Sequence, residues 1–121
     1  MNREHVKGIM LSLIERHQGF INELKLIVKH DFEFKPGSTS DLAIFSGEQK
    51  LVVLKYWYPK STHFPDLCLE THNYFSGSGF IYYVLFDGHY FHLMQVNVFE
   101  GFPEHIIPIK SFLYRVSQDS V

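Results

Sequence analysis

The chain alternates between helix-like and strand-like stretches in a readable order. In REHVKGIMLSLIERHQG, Val6, Ile9, Met10, Leu13 and Ile14 fall at helical spacings on one apolar stripe, and Gly19 is placed to end the helix. Residues 24–34, LKLIVKHDFEF, read as a strand with Ile27, Val28, Phe32 and Phe34 available for burial. KPGSTS then supplies a Pro-Gly turn. Residues 41–45 and 51–58 predict two further strands joined by SGEQK, which makes a meander. PKSTHFPDLCLETHNYFSGSG predicts a helix capped by Ser61 or Thr62, with Pro65 in its first turn. Leu67, Leu69 and Phe75 would form its apolar face with Tyr74 at the margin, and Gly77 and Gly79 would stop it. FIYYVLF and HYFHLMQVNVF flank Asp87-Gly88, a two-residue hairpin signal. IIPIKSFLYRV reads as an irregular segment or short helix over a sheet edge, and QDSV as a frayed end.

Composition narrows the class. With 121 residues, 45% hydrophobic and 17% aromatic, the chain makes one domain whose core draws on twelve Phe and seven Tyr. No apolar run approaches the ~20 residues of a membrane span. The amino terminus lacks an apolar signal region, and the single Cys68 fits a reducing compartment, so a cytoplasmic protein is expected. A net charge of −2 argues against a broad basic DNA-binding face, so any contact with DNA is expected to be weak and local. Lys25, Lys29, Lys35, Lys50, Lys55 and Lys60 concentrate in the first half, interspersed with acidic residues as on a solvated mixed-charge surface.

One residue stands out from the apolar pattern. Lys55 lies near the end of LVVLKYWY, where an ammonium is costly to desolvate without a partner, and Asp41 heads the preceding strand. A five-residue connection would set Phe45 opposite Leu51 and Asp41 opposite Lys55, with Val53 on the same face. A strand-end lysine with its amine in water is the plainer account. Elsewhere, Glu48-Gln49-Lys50 falls in the predicted turn and should point into solvent. His63 with His72, and His89 with His92, are poorly placed for shared metal ligation. His5 and His17 belong on an exposed helix face, and Cys68 reads as a small buried residue.

The element order, with Asp41 in SDLAIF, Val53-Leu54-Lys55 in LVVLKYW and Glu70 to Tyr74 in ETHNY, resembles the PD-(D/E)XK nuclease superfamily. Within it the chain is similar to the N-terminal nuclease domain of type I restriction motor subunits and to RecB-like nucleases, over roughly residues 3–96. The resemblance implies an α/β, restriction-endonuclease-like fold: helix, three-strand meander, helix, then a strand hairpin in a central mixed sheet. It places Asp41 and Lys55 in the catalytic positions, Val53 where the family has the E-x-K glutamate, and Glu70 and Tyr74 at the Q-x-x-x-Y positions.

Such a site hydrolyses phosphodiesters with Mg²⁺ held by hard oxygen ligands, while a lysine orients water or stabilises developing charge. Valine ligates nothing. The expectation is therefore a catalytically degenerate accessory or recognition domain in a DNA-processing or defence system, part of a larger chain or bound to a protein partner. The alternatives are a Mg²⁺-dependent nuclease in which Glu70 or Glu15 replaces the missing ligand beside Asp41, and a protein-interaction module.

Overall fold

A computed structural model describes residues 2–57, 63–96 and 103–119. Its architecture is mixed α/β, with six strands in one mixed sheet and four helices among the described residues. Helices α1 (Arg3–Arg16) and α2 (Gln18–Glu23) come first, followed by strands β1 (Leu26–Lys35), β2 (Ser38–Ser46) and β3 (Gln49–Tyr56). Helix α3 (Phe64–Phe75), strands β4 (Tyr82–Phe86), β5 (Phe91–Gln95) and β6 (Glu104–Ile106), and helix α4 (Ile109–Ser117) complete the order. The sheet runs β1-β2-β3-β4-β5-β6, and only β3 and β4 are parallel neighbours. A parallel pair needs a crossover, and α3 lies within it.

Two apolar layers sandwich the sheet. On one side α1, α2 and α4 bring Val6, Met10, Ile21, Phe112 and Val116 against Leu42, Ile44, Leu54, Val84 and Phe91. The rings of Phe91 and Phe112 stack 4.2 Å apart. On the other side Phe75 of α3 meets Ala43, Phe45, Val53, Phe80 and Tyr83. Burial on both faces explains why the central strands read as the unbroken apolar runs LVVL and YYVLF.

Several boundaries differ from the sequence expectation. Gly19 lies inside α2, because the helix breaks earlier, at His17, whose Nδ1 sits 2.8 Å from the Leu13 carbonyl oxygen. His17 is thus half-buried at a helix junction rather than on an exposed face. Leu69 is 57% exposed, and Thr71 takes the inward position on α3, its hydroxyl donating to the Leu67 carbonyl. The proposed caps Ser61 and Thr62 lie outside the described residues. Residues 109–116 form a regular helix that packs across a sheet face rather than an edge. Its Ile109, Phe112, Leu113 and Val116 are buried at the i, i+3, i+4, i+7 spacing. Asp119 is tied down by the Tyr82 hydroxyl, and its backbone carbonyl by Gln49.

Strand β1 changes face. Leu26 and Val28 pack on the α1 side, whereas Phe32 and Phe34 pack on the α3 side, although all four share one parity. Asp31 between them has φ +49°, a left-handed conformation that resets the alternation. Ile27, expected inside, is 47% exposed.

Candidate functional site

The β2–β3 hairpin places the residues singled out from sequence. Its turn is the two residues Gly47-Glu48, not five, so Ser46 pairs with Gln49 and Phe45 with Lys50 rather than Leu51. A register shift at Leu51 then restores Ile44 opposite Val52, Ala43 opposite Val53 and Leu42 opposite Leu54. Continuing that register sets Asp41 across from Lys55. From Ile44 to Leu42 the pairing is therefore the expected one, reached through a bulge the sequence did not announce, whereas Phe45 pairs otherwise and Asp41 and Lys55 do not share a face.

The side chains of that pair go elsewhere. Asp41 Oδ1 accepts from Arg3 Nη2 at 2.5 Å, and Oδ2 accepts the backbone N–H of Tyr56 at 2.7 Å. Arg3 also lies 3.9 Å from Asp31 Oδ1, and its guanidinium sits 5.6 Å from the centre of the Tyr56 ring. The hydrogen bond to Asp41 holds the Arg3 guanidinium above its ordinary pKa against the opposing effect of burial. Burial, reinforced by the Asp41 charge, raises that of the Tyr56 phenol. Lys55 extends over Tyr74 instead, with Nζ 4.9 Å from the ring centroid. A direct Asp41–Lys55 ion pair, the simplest explanation of that lysine, is replaced by Arg3–Asp41 and a lysine laid on an aromatic ring.

The other candidates separate further. Val53 is fully buried among Ala43, Phe75 and Tyr83. Tyr74 is anchored to the start of β2: its hydroxyl donates to the Thr39 carbonyl at 2.8 Å and accepts from the Thr39 N–H at 3.2 Å. Glu70 is exposed one turn earlier on α3. Glu15 is exposed on α1, in the opposite layer. It lies twelve residues beyond Arg3, about 18 Å along the helix, so it does not join Asp41. Among the described residues no three His, Cys, Asp or Glu side chains converge as a cation site.

Lysines on the α3 side share one habit. Lys29 Nζ is 4.8 Å from the Phe45 ring centre, Lys50 Nζ is 5.7 Å from that of Phe80, and Lys35 Nζ is 5.8 Å from that of Phe34. Each is exposed. Lys50, expected in the turn, belongs to β3 and also donates to the Ser78 carbonyl at 3.5 Å. The ion pairs of the described residues involve Arg3, Arg115, His63 and His92, and none of these lysines.

A second polar cluster escaped the sequence reading. The β4–β5 loop has four residues, not two, because Asp87 Oδ1 accepts the N–H groups of His89 at 2.9 Å and Tyr90 at 2.7 Å. Asp87 Oδ2 meets His92 Nε2 at 2.9 Å, and His92 Nδ1 meets His105 Nδ1 at 2.7 Å. Burial lowers the pKa of His92 despite the neighbouring carboxylate. Burial pushes that of Asp87 up, but hydrogen bonds from His92, Tyr90 and His89 together bring it below the ordinary value. Trp57, Phe64 and Tyr90 surround His92 with ring centroids 5.1–5.7 Å away. Spacing could not reveal this cluster, since β6 supplies His105 from beyond the hairpin. Cys68 is half-buried, and burial pushes its thiol up, away from nucleophilic use.

Compared with known proteins, the chain matches no family model, no curated protein and no solved structure.

Proposed function

We propose that this is a catalytically degenerate, restriction-endonuclease-like domain that serves as an accessory or recognition element in a DNA-processing or defence system. One observation carries the reading: Asp41 of β2 already has its cation. Arg3 supplies a guanidinium to Asp41 at 2.5 Å, and the remaining carboxylate oxygen secures the Tyr56 N–H. A divalent ion would have to displace the Arg3 guanidinium and compete with the Tyr56 N–H to reach Asp41. The position of the missing glutamate is closed as well, since Val53 is packed in the α3-side core.

The order of helix, meander, crossover helix and parallel strand supports the fold side of this proposal. Exposed lysines without ion pairs among the described residues, Lys29, Lys50 and Lys55, would give DNA phosphates a local contact on an otherwise acidic protein. The test incubates the full chain with single- and double-stranded DNA in Mg²⁺ or Mn²⁺ and measures binding by anisotropy over a salt series. The expected result is no cleavage, with weak binding that declines as salt rises. Lys29→Gln and Lys50→Gln should each flatten the slope of log affinity against log salt by about 0.7 to 0.9. Cleavage that disappears in Asp41→Ala would overturn the reading in favour of an active Mg²⁺ nuclease. Absence of both cleavage and binding would favour a protein-interaction module.

A further inference from the structure

The Asp87–His92–His105 chain is a hydrogen-bonded relay, and its proton positions follow from connectivity. Asp87 also accepts two backbone N–H groups, which suits a carboxylate, so His92 donates Nε2–H to it, and burial, which lowers the His92 pKa, favours the neutral ring. That leaves His92 Nδ1 as a lone pair, and His105 must donate its own Nδ1–H across the 2.7 Å contact. The ring centroids are 4.9 Å apart, longer than the N···N distance by about two ring radii, so the two nitrogens face each other along one line. Two ligands of one tetrahedral metal would instead converge at an angle. The remaining lone pair, on His105 Nε2, belongs to an exposed residue. Phe64 and Tyr90 flank this imidazole, with centroids 6.1 and 6.4 Å away.

The geometry points to His105 as a nucleophile for aryl esters, with His92 and Asp87 as its positioning residues. This site lies on β5, β6 and their flanking loop and is independent of the DNA-associated reading. An imidazole displaces a leaving group of comparable acidity, such as a phenolate, and the neighbouring aromatic rings suit an aryl group. In the first step His105 Nε2 forms a bond to the carbonyl carbon, the ester C–O bond breaks, and the phenolate departs. The His105 Nδ1 proton passes to His92 Nδ1, giving an imidazolium paired with Asp87. In the second step water adds to the acyl group, the C–N bond breaks and the carboxylic acid leaves. One proton returns from His92 to His105 Nδ1. The surplus proton of the water goes to solvent, balancing the phenolate released earlier.

The test is hydrolysis of 4-nitrophenyl acetate by the full chain, with acid-quenched samples analysed by peptide mass spectrometry. Expected are acetylation at His105 and a kcat/KM at least about tenfold above that of His105→Gln. His92→Phe and Asp87→Asn should lower kcat and leave KM unchanged, whereas Phe64→Ala should raise KM. A His105→Gln protein as active as wild type, or acetyl found only on other residues, overturns the proposal. Full kcat in a folded His92→Phe protein overturns the relay.

Discussion

Replacing Asp41 separates its two bonds energetically. The Tyr56 N–H bond is short, ends on a charged acceptor and serves a residue only 4% exposed. Hydrogen bonds to charged groups contribute about 1.5–3 kcal/mol, and leaving a buried donor unpaired adds a desolvation cost of similar order. The Arg3 pair is different: the Arg3 side chain is 38% exposed, so solvent screening holds its share to under about 1 kcal/mol. Asp41→Ala loses both interactions and should cost about 3 kcal/mol. Asp41→Asn retains an acceptor for Tyr56 and should cost about 1 kcal/mol, close to Arg3→Met. Urea unfolding at neutral pH, followed by tryptophan fluorescence with a shared m-value, ranks the three variants. Raising salt should narrow the gap between Arg3→Met and wild type while leaving the Asp41→Ala deficit nearly intact. If Arg3→Met costs as much as Asp41→Ala, or if Asp41→Ala lies within about 0.5 kcal/mol of wild type, the carboxylate does not secure the strand in this way.

Other consequences are equally direct. Val53→Glu would bury a carboxylate in an apolar cluster, so a loss of about 3 kcal/mol or more is expected with no gain in Mn²⁺ affinity. A variant as stable as wild type that binds Mn²⁺ would mean that the position opens onto a site. Tyr74→Phe removes both hydroxyl bonds to Thr39 and should cost about 1–2 kcal/mol by thermal or urea unfolding. An unchanged midpoint would show that this anchor is energetically idle. His92 and Asp87 both have pKa values lowered by folding, so the unfolded chain binds more protons than the native one in their titration ranges. Stability should accordingly fall with pH from about 6.5 downward through His92, with a further loss below about 3.8 through Asp87. His92→Phe should flatten the upper part of that profile, and an unaltered profile would assign the loss to other groups.

The sequence made the central strands, α1 and α3 legible because their apolar runs and helical stripes reflect burial directly. Geometry set by single polar or backbone features was harder to see. SGEQK predicts a turn three residues longer than the observed Gly47-Glu48, and no local signal marks the bulge at Leu51, yet the two differences cancel from Ile44 opposite Val52 to Leu42 opposite Leu54. The Asp87-Gly88 signal suggested a two-residue turn, whereas the Asp87 side chain stabilises a four-residue loop by bonding to His89 and Tyr90. Helix α4 carries a clear apolar spacing at Ile109, Phe112, Leu113 and Val116, within the stretch that reads as an irregular segment or short helix. Arg3 was invisible as a site residue, since nothing local links the first turn of α1 to β2. Only the packed fold brings it to Asp41.

Under the proposed reading, that contact gives Asp41 a structural reason to be present in a domain that does not cut. A metal-binding carboxylate with no structural duty is free to be replaced once its metal is gone. Asp41 has two such duties, closing the β2–β3 ladder at Tyr56 and receiving α1 through Arg3, so its loss would loosen the sheet whatever happens to DNA. Lys55 has a parallel alternative in its contact with Tyr74, which is itself held to Thr39. The proposed degeneration thus amounts to an exchange of cations. A guanidinium fixed to α1 stands against the carboxylate where a mobile metal would be required for hydrolysis, and a fixed guanidinium cannot deliver a bound water to phosphate. Retaining Asp41 and Lys55 in register is therefore compatible with inactivity. Their presence alone carries no weight for catalysis until Arg3 is shown to yield.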